Sequence, residues 1–166
     1  MKKILIGLLT IVLAGCTGQT PKPLTDAEKE TIKNDVKKEF NGMVEACNKV
    51  DIETALKYWL DSPGFIMIGP DGAIMNYAQF KKANEDTFNN ATSVRFTGLK
   101  EDIKVLENGY ALYIWQYSAE MILKSGEKIA YDTIGMTVLF QKIDGTWKII
   151  FGQESGLLPV VTKLSE

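Results

Sequence analysis

Apolar and polar residues recur with two different periods along this chain. In the N-terminal part the apolar positions return every three or four residues, which is the spacing of one helix face; they are Ile32, Val36, Phe40, Met43, Val44 and Cys47. Thr25 or Asp26 can cap this helix. From residue 94 onward the apolar positions alternate with a period of two, as in β-strands. The pattern predicts helices first and a sheet afterwards.

Two shorter helices and a hairpin are predicted between these parts. Asp51 can cap a short helix whose apolar side consists of Ile52, Ala55, Leu56 and Trp59. Residues 65–68 and 73–75 flank the turn Gly69-Pro70-Asp71-Gly72, which favours a small β-hairpin. A third helix is predicted over residues 77–89.

Long strands are predicted over residues 94–106, 110–123, 128–142 and 147–154. They are joined by the tight-turn dipeptides Asn108-Gly109, Ser125-Gly126 and Asp144-Gly145, which favour an antiparallel meander. Helices against one face of such a sheet make an α+β fold, and long strands twist and curl. We therefore expect a curled antiparallel sheet wrapped around the N-terminal helices, with a conical hollow.

The N-terminus has the pattern of a bacterial lipoprotein precursor. Lys2 and Lys3 precede the apolar run Ile4–Ala14, which is shorter than the roughly 20 residues that cross a bilayer. Leu13-Ala14-Gly15-Cys16 resembles a lipobox, which implies cleavage before Cys16 and lipidation of its thiol. We predict a signal peptide over residues 1–15, a lipidated tether over 16–24 and one domain over 25–166. The alternative is that Cys16 lies by chance in an ordinary secretory signal or in an apolar N-terminal anchor.

The predicted anchor implies a place in the cell envelope and membrane attachment through the lipid. Thr17 follows the cysteine where many lipoproteins retained in the inner membrane have aspartate. An outer-membrane location is therefore expected in a Gram-negative cell, and the outer face of the cell membrane otherwise.

Composition excludes several function classes. Without Lys2 and Lys3 the chain keeps 17 basic against 21 acidic side chains, a formal charge of −4, and has no basic stripe for nucleic acid. Cys47 is then the one cysteine besides Cys16, so the domain can form no internal disulfide. The absence of histidine removes the usual general base and a common zinc ligand. We predict neither a metal nor a cofactor.

Two stretches, VDIETALKYWLDSPGFIMIGPDG and TVLFQKIDGTWKIIFGQESG, resemble the SnoaL-like branch of the nuclear transport factor two superfamily. The resemblance covers residues 28–157 and implies a cystatin-like cone fold. This superfamily includes isomerases, dehydratases and cyclases, so the fold alone does not assign a reaction. Relatives often have a histidine in the last strand where this chain has Gln153, ahead of Ser155. Glutamine can hydrogen-bond a ligand but cannot take up a proton near neutral pH.

The family pattern also implies which strand faces point into the cone. The inward positions are Ala111, Tyr113, Trp115 and Tyr117, then Thr133, Gly135, Thr137 and Leu139, then Trp147, Ile149, Phe151, Gln153 and Ser155. Aromatic walls with a few hydrogen-bonding groups suit a small, largely apolar ligand. The candidate ligand-binding residues are therefore Trp59, Tyr113, Trp115, Tyr117, Thr137, Gln153 and Ser155, and no catalytic residue is assigned. Alternatively, the aromatic side chains fill the cone as core.

The strand carboxylates decide between binding and catalysis. Glu120, Asp132 and Glu154 fall on the parity opposite to the interior and are expected to face outward. If a bulge reversed one of them, a buried carboxylate with a nearby tyrosine could serve an isomerase or hydrolyase. A third hypothesis is a partner-binding envelope protein with a filled hollow.

The opposite sheet face is predicted to be apolar, with Leu112, Ile114, Ile134, Met136, Val138 and Phe140. Such a face is rarely left in water, so a homodimer through the sheet is expected. The alternative is that the parity is reversed and these residues form the core.

Overall fold

A computed structural model describes residues 22–107 and 109–163 and confirms the α+β architecture. The helices are α1 (Asp26–Asn48), α2 (Ile52–Leu56) and α3 (Tyr77–Asn89). The strands are β1 (Ile66–Ile68), β2 (Ile74–Met75), β3 (Ala91–Val105), β4 (Tyr110–Leu123), β5 (Glu127–Ile143), β6 (Thr146–Gly156) and β7 (Val160–Lys163). The predicted signal peptide, Cys16 and most of the tether lie outside the described residues. Among those described, no helix combines the length and apolar character needed to span a membrane.

The strands form one curled sheet in the order β2-β1-β6-β5-β4-β3. Strands β3 to β6 are antiparallel neighbours, as predicted, but β1 pairs with β6 in parallel. The expectation of a purely antiparallel sheet is therefore wrong at this edge. The parallel direction is already set after α2, where Leu60 N–H donates to the Ile149 carbonyl at 2.8 Å and Ile149 N–H donates to the Tyr58 carbonyl at 2.9 Å. The unpredicted strand β7 pairs with β5 beyond the end of β6.

Helix α1 lies against the sheet and is fixed at both ends. Thr25 is its N-cap and forms a capping box with Glu28, which satisfies backbone donors of the first turn. The buried residues of its apolar stripe are Val36, Phe40, Met43 and Ala46. At the other end the Asn48 side chain pairs with the Phe96 backbone on β3, accepting from N–H at 2.6 Å and donating to the carbonyl at 3.3 Å. The helix thus crosses the sheet in a defined position.

The inward face of β4 is the one expected from the family pattern. Ala111, Tyr113, Trp115 and Tyr117 are all buried. Phe40 of α1 stacks on Tyr113 with ring centroids 4.0 Å apart and meets Trp115 edge-on at 5.0 Å. These contacts join the long helix to the centre of the sheet.

A bulge reverses the predicted faces of β5. Ala119 pairs with Tyr131, whereas Tyr117 pairs with Ile134, so β5 has one extra residue at this point. The extra residue moves every later side chain to the other face. Ile134, Met136, Val138 and Phe140 are therefore core residues, while Thr133, Gly135, Thr137 and Leu139 lie on the outer face. The alternative of a reversed parity is right for this strand and wrong for β4.

A second bulge reverses the C-terminal half of β6. Phe140 pairs with Ile149, but its neighbour Leu139 pairs with Phe151. Trp147 and Ile149, before the bulge, are buried as predicted. After it, Gly152 and Glu154 point inward, and the predicted inward orientation of Phe151, Gln153 and Ser155 is wrong.

Candidate ligand-binding pocket

A cavity of about 160 Å³ lies between the three helices and the inner face of the sheet. Its walls are mostly aromatic and thioether side chains. The aromatic residues are Trp59, Phe80, Phe88, Phe96, Trp115 and Tyr117, and the methionines are Met43, Met67, Met75 and Met136. Methionine is flexible and polarisable, so such walls can adapt to the outline of a ligand. The cavity is therefore an apolar chamber, which we call the inner chamber.

The end of α2 and the start of α3 place the aromatic wall opposite the sheet. Trp59 forms a bridge to Ile149 of β6, and its ring centroid lies 4.6 Å from that of Phe80 on α3. Gly152 permits this approach. A Cβ at Gly152 would lie 2.7 Å from the Met67 sulfur and 3.1 Å from a carbon of the Trp59 ring.

Tyr117 and Glu154 supply the polar end of the chamber. The Tyr117 hydroxyl donates a hydrogen bond of 2.7 Å to Glu154 Oε1. Burial raises the pKa of the Glu154 carboxyl, and the bond from Tyr117 opposes this rise only in part. Burial, and then the neighbouring Glu154, also raise the pKa of the Tyr117 phenol. A carboxyl with a raised pKa therefore faces apolar walls.

Cys47 of α1 also lines the inner chamber, and its side chain is a protonated thiol at neutral pH. Burial, followed by the proximity of Glu154, raises its pKa to about 12. A nucleophilic cysteine needs the opposite shift. The position of Cys47 on the apolar stripe of α1 agrees with this environment, and the thiol is not activated.

A second cavity of about 230 Å³ continues from the inner chamber toward the surface. The two cavities share Phe88, Phe96, Tyr117 and Glu154 as lining residues, so the Tyr117–Glu154 pair lies where they meet. Ile129 and Tyr131 line the outer part, which we call the vestibule. The Glu154 carboxyl therefore lies at the junction of the two cavities.

Of the residues predicted to bind a ligand, the structure brings Trp59, Trp115 and Tyr117 together on the chamber wall. Trp115 and Tyr117 are stacked at 4.1 Å between ring centroids. Tyr113 is also inside but belongs to the packed core, because it is covered by Phe40. Its hydroxyl donates to Glu101, which also pairs with Lys37. For Tyr113, therefore, the alternative interpretation holds: its side chain is packed in the core and does not line the chamber.

The other three predicted residues are not part of the chamber. Thr137, Gln153 and Ser155 line a depression on the outer face of the sheet, because the two bulges reverse their strands. Glu120 and Asp132 are exposed, as expected, and Glu120 pairs with Lys128 at 2.6 Å. The prediction for Glu154 is wrong in the way that matters most: it was expected to face outward, but it lines the inner chamber. No cluster of three or more acidic or cysteine side chains suited to a metal occurs among the described residues.

Sequence reasoning missed the contribution of α3 and of Glu154. The spacing of Phe80, Asn84 and Phe88 on α3 indicated packing, but nothing local showed that the helix covers an empty space. Three consecutive apolar residues, Ile149-Ile150-Phe151, interrupt the alternation of β6 and are the available signal for the bulge that turns Glu154 inward.

The fold and the position of this cavity can be compared with known proteins. The family profile of the SnoaL-like domain matches residues 36–160, which include the walls of the inner chamber. The chain belongs to this family. No curated protein is significantly similar to the SnoaL-like chain in sequence.

Solved structures show the same fold at low sequence identity. A proposed dehydratase of the NTF2-like family from Streptomyces avermitilis is 16% identical, with a TM-score of 0.69, over 78% of this chain and 99% of that one. An NTF2-like superfamily protein from Salmonella enterica is 18% identical, with a TM-score of 0.68, over 83% and 98%. The association domain of CaMKII from C. elegans is 16% identical, with a TM-score of 0.61, over 79% and 99%.

Proposed function

We propose that this SnoaL-like domain binds a small, largely apolar molecule in the inner chamber. The observation that carries the proposal is a cavity of about 160 Å³ with aromatic and methionine walls and a single carboxyl at its polar end. An apolar cavity of about 150 Å³ is known to hold a molecule the size of benzene. The ligand is therefore one ring or its aliphatic equivalent, with room for substituents in the vestibule.

Binding without turnover fits the polar groups of the chamber. Acid-base catalysis is most efficient when the proton-transferring side chains have pKa values near the working pH. The pKa values of both Cys47 and Tyr117 are raised, and the Tyr117 hydroxyl is already committed to Glu154. The environments of Cys47 and Tyr117 therefore favour a site that binds its ligand without converting it.

The proposal is tested by a substitution that reduces the volume of the chamber and leaves Tyr117 and Glu154 unchanged. Ala55 is buried and lines the cavity, so Ala55→Met in the mature chain carrying Cys16→Ser fills part of the space. We expect loss of the small molecule retained by the parent protein in native mass spectrometry, and at least tenfold weaker binding of toluene. Ala83→Met, the same change at an exposed position on α3, is the matched control. Failure of the parent protein to retain or bind any ring-sized molecule would contradict the proposal.

A proton-transferring enzyme is the second candidate, favoured by the hydrogen-bonded pair of buried Tyr117 and half-buried Glu154. Its carboxyl could give a proton to a leaving hydroxyl or take one from carbon, and the Streptomyces avermitilis neighbour is named for dehydratase activity. Glu154→Gln keeps the shape and removes the exchangeable proton. If the domain is a dehydratase, this variant retains a molecule heavier by one water than the one retained by the parent protein. If it is an isomerase, the two proteins retain different isomers of one mass. The same molecule in both proteins supports binding without turnover.

We also propose that Cys16 becomes the lipidated first residue and holds the domain at the cell envelope. The support is the lipobox pattern Leu13-Ala14-Gly15-Cys16 after a short apolar run. Two or more acyl chains anchor a protein stably, whereas one binds only marginally. Mass spectrometry of the N-terminal peptide from the membrane fraction should show a diacylglyceryl cysteine, and Cys16→Ser should release the protein from that fraction.

A further inference from the structure

Glu154 is an acid placed among aromatic rings, and no basic side chain in the described part of the chain pairs with it. It is the one Asp, Glu, Lys or Arg side chain among the residues lining the inner chamber. Tyr117 bonds to Oε1, and no described residue donates a hydrogen bond to Oε2. The chamber therefore offers a ligand one oxygen that is free to accept or to carry a proton.

From this placement we infer that the ligand is a small organic amine, with its ammonium group against Glu154 and its apolar part in the inner chamber. The inference rests on the proposed function and adds a chemical class to it. Glu154 is half-buried. A carboxylate partly removed from water without a basic partner is unfavourable, and a bound cation would supply that partner. The ammonium group of the ligand would therefore form an ion pair with the Glu154 carboxylate, which no basic side chain of the chamber wall does.

The aromatic walls point to the same class. The electron-rich faces of aromatic rings attract ammonium groups, and tryptophan does so most strongly. Trp115 and Tyr117 are stacked beside the carboxyl, and Trp59 lies on the same chamber wall. An anion would meet these ring faces and Glu154 with no lysine or arginine among the lining residues to compensate. The chamber is therefore selective against carboxylates and phosphates.

The groups around Glu154 set how amine binding depends on pH. Tyr117 on β4, Cys47 on α1 and Tyr131 on β5 face it, and each has a raised pKa. Glu120 lines the vestibule, and Asp71 of the β1–β2 turn acts on Tyr131. None of these groups supplies a positive charge. Since only the ionised carboxylate pairs with ammonium, amine binding should strengthen as the pH rises through the raised pKa of Glu154.

The test compares three probes that share one ring: benzylamine, benzyl alcohol and benzoate. Binding to the mature chain carrying Cys16→Ser can be followed by tryptophan fluorescence, because Trp59 and Trp115 line the chamber. We expect benzylamine to bind at least tenfold more tightly than benzyl alcohol, and benzoate to bind weakest. Glu154→Gln should remove the preference for the amine, whereas Glu107→Gln, at an exposed position outside both cavities, should leave it unchanged.

The outcomes separate the ligand class from the existence of a site. If benzyl alcohol or benzoate binds as tightly as benzylamine to the parent protein, the amine inference is wrong and the pocket remains. If no probe binds, the proposed function fails, and this inference fails with it. A pH series on the parent protein covers the case in which Glu154→Gln does not fold. Benzylamine affinity that does not rise with pH contradicts the inference.

Discussion

At the scale of single residues, Glu154 should make stability depend on pH in the direction opposite to an ordinary surface acid. The unfolded carboxyl titrates near 4.5, and burial raises the pKa in the folded protein. Over the range between these two values the folded protein holds a proton that the unfolded chain has lost. The stabilisation is therefore complete below the unfolded pKa and is lost as the pH rises through the folded pKa.

We predict that Glu154→Gln is more stable than the parent protein at about pH 8 and nearly equal at about pH 4. The gain is about 1.4 kcal/mol for each pH unit separating the folded and unfolded pKa values, since glutamine cannot ionise. Urea denaturation at several pH values measures it. Glu120→Gln is the control, because Lys128 lowers the pKa of this exposed carboxyl and the sign is reversed. A Glu154→Gln protein less stable than the parent at high pH would contradict the burial of this carboxyl.

At the scale of elements, the N-terminus of α1 is stabilised by the capping box between Thr25 and Glu28. The Thr25 hydroxyl accepts from the Glu28 N–H, and the Glu28 carboxylate accepts from the Thr25 N–H. We predict that Thr25→Ala lowers the free energy of unfolding by about 1 kcal/mol. Thr31→Ala is the matched control, because its hydroxyl bonds the Ala27 carbonyl inside the helix and contributes little. Equal effects of the two substitutions in urea denaturation would show that the cap does not hold the helix.

The elements also show what the sequence could and could not predict. The three helices were predictable because their stripes and caps are local, as with Asp51 and Asn76, which accept from the third residue of α2 and α3. The inward faces of β5 and of the C-terminal half of β6 were not. One extra residue on β5 and one on β6 reverse each pattern, and the choice of the bulge is made by pairing with a neighbouring strand. The positions of three of the seven candidate residues, Thr137, Gln153 and Ser155, and that of Glu154 depended on that choice.

At the scale of the whole molecule, the family resemblance indicated the cone and its helices, which the structure confirms. It did not indicate that β1 would join β6 in parallel, because those segments are far apart in sequence and share no local signal. The family resemblance also did not indicate where the inner chamber lies. Tyr113 and Trp115 are two residues apart on one face, yet Phe40 covers the first and the second lines the chamber.

The outer face of the sheet carries an apolar row suited to self-association. Leu112, Leu139, Phe151 and Ile66 are successive cross-strand partners on β4, β5, β6 and β1, and they form what we call the outer row. Ile114, beside this row, is 40% exposed. We propose that a second copy of the chain covers it, as expected from an apolar sheet face. This set replaces the predicted one, of which Ile134, Met136, Val138 and Phe140 are core residues.

The corresponding prediction is that Ile114→Lys converts a dimer into a monomer while leaving the fold and the inner chamber intact. In a two-fold interface each substitution occurs twice, so lysine ammonium groups from both copies would be desolvated at one surface without partners. Leu157→Lys is the control, because Leu157 is 87% exposed in the connection between β6 and β7, away from the outer row. Sedimentation equilibrium should give the mass of two chains for the parent and the control, and of one chain for Ile114→Lys. A dimeric Ile114→Lys protein would place the contact elsewhere, because the burial of two unpaired ammonium groups is strongly unfavourable.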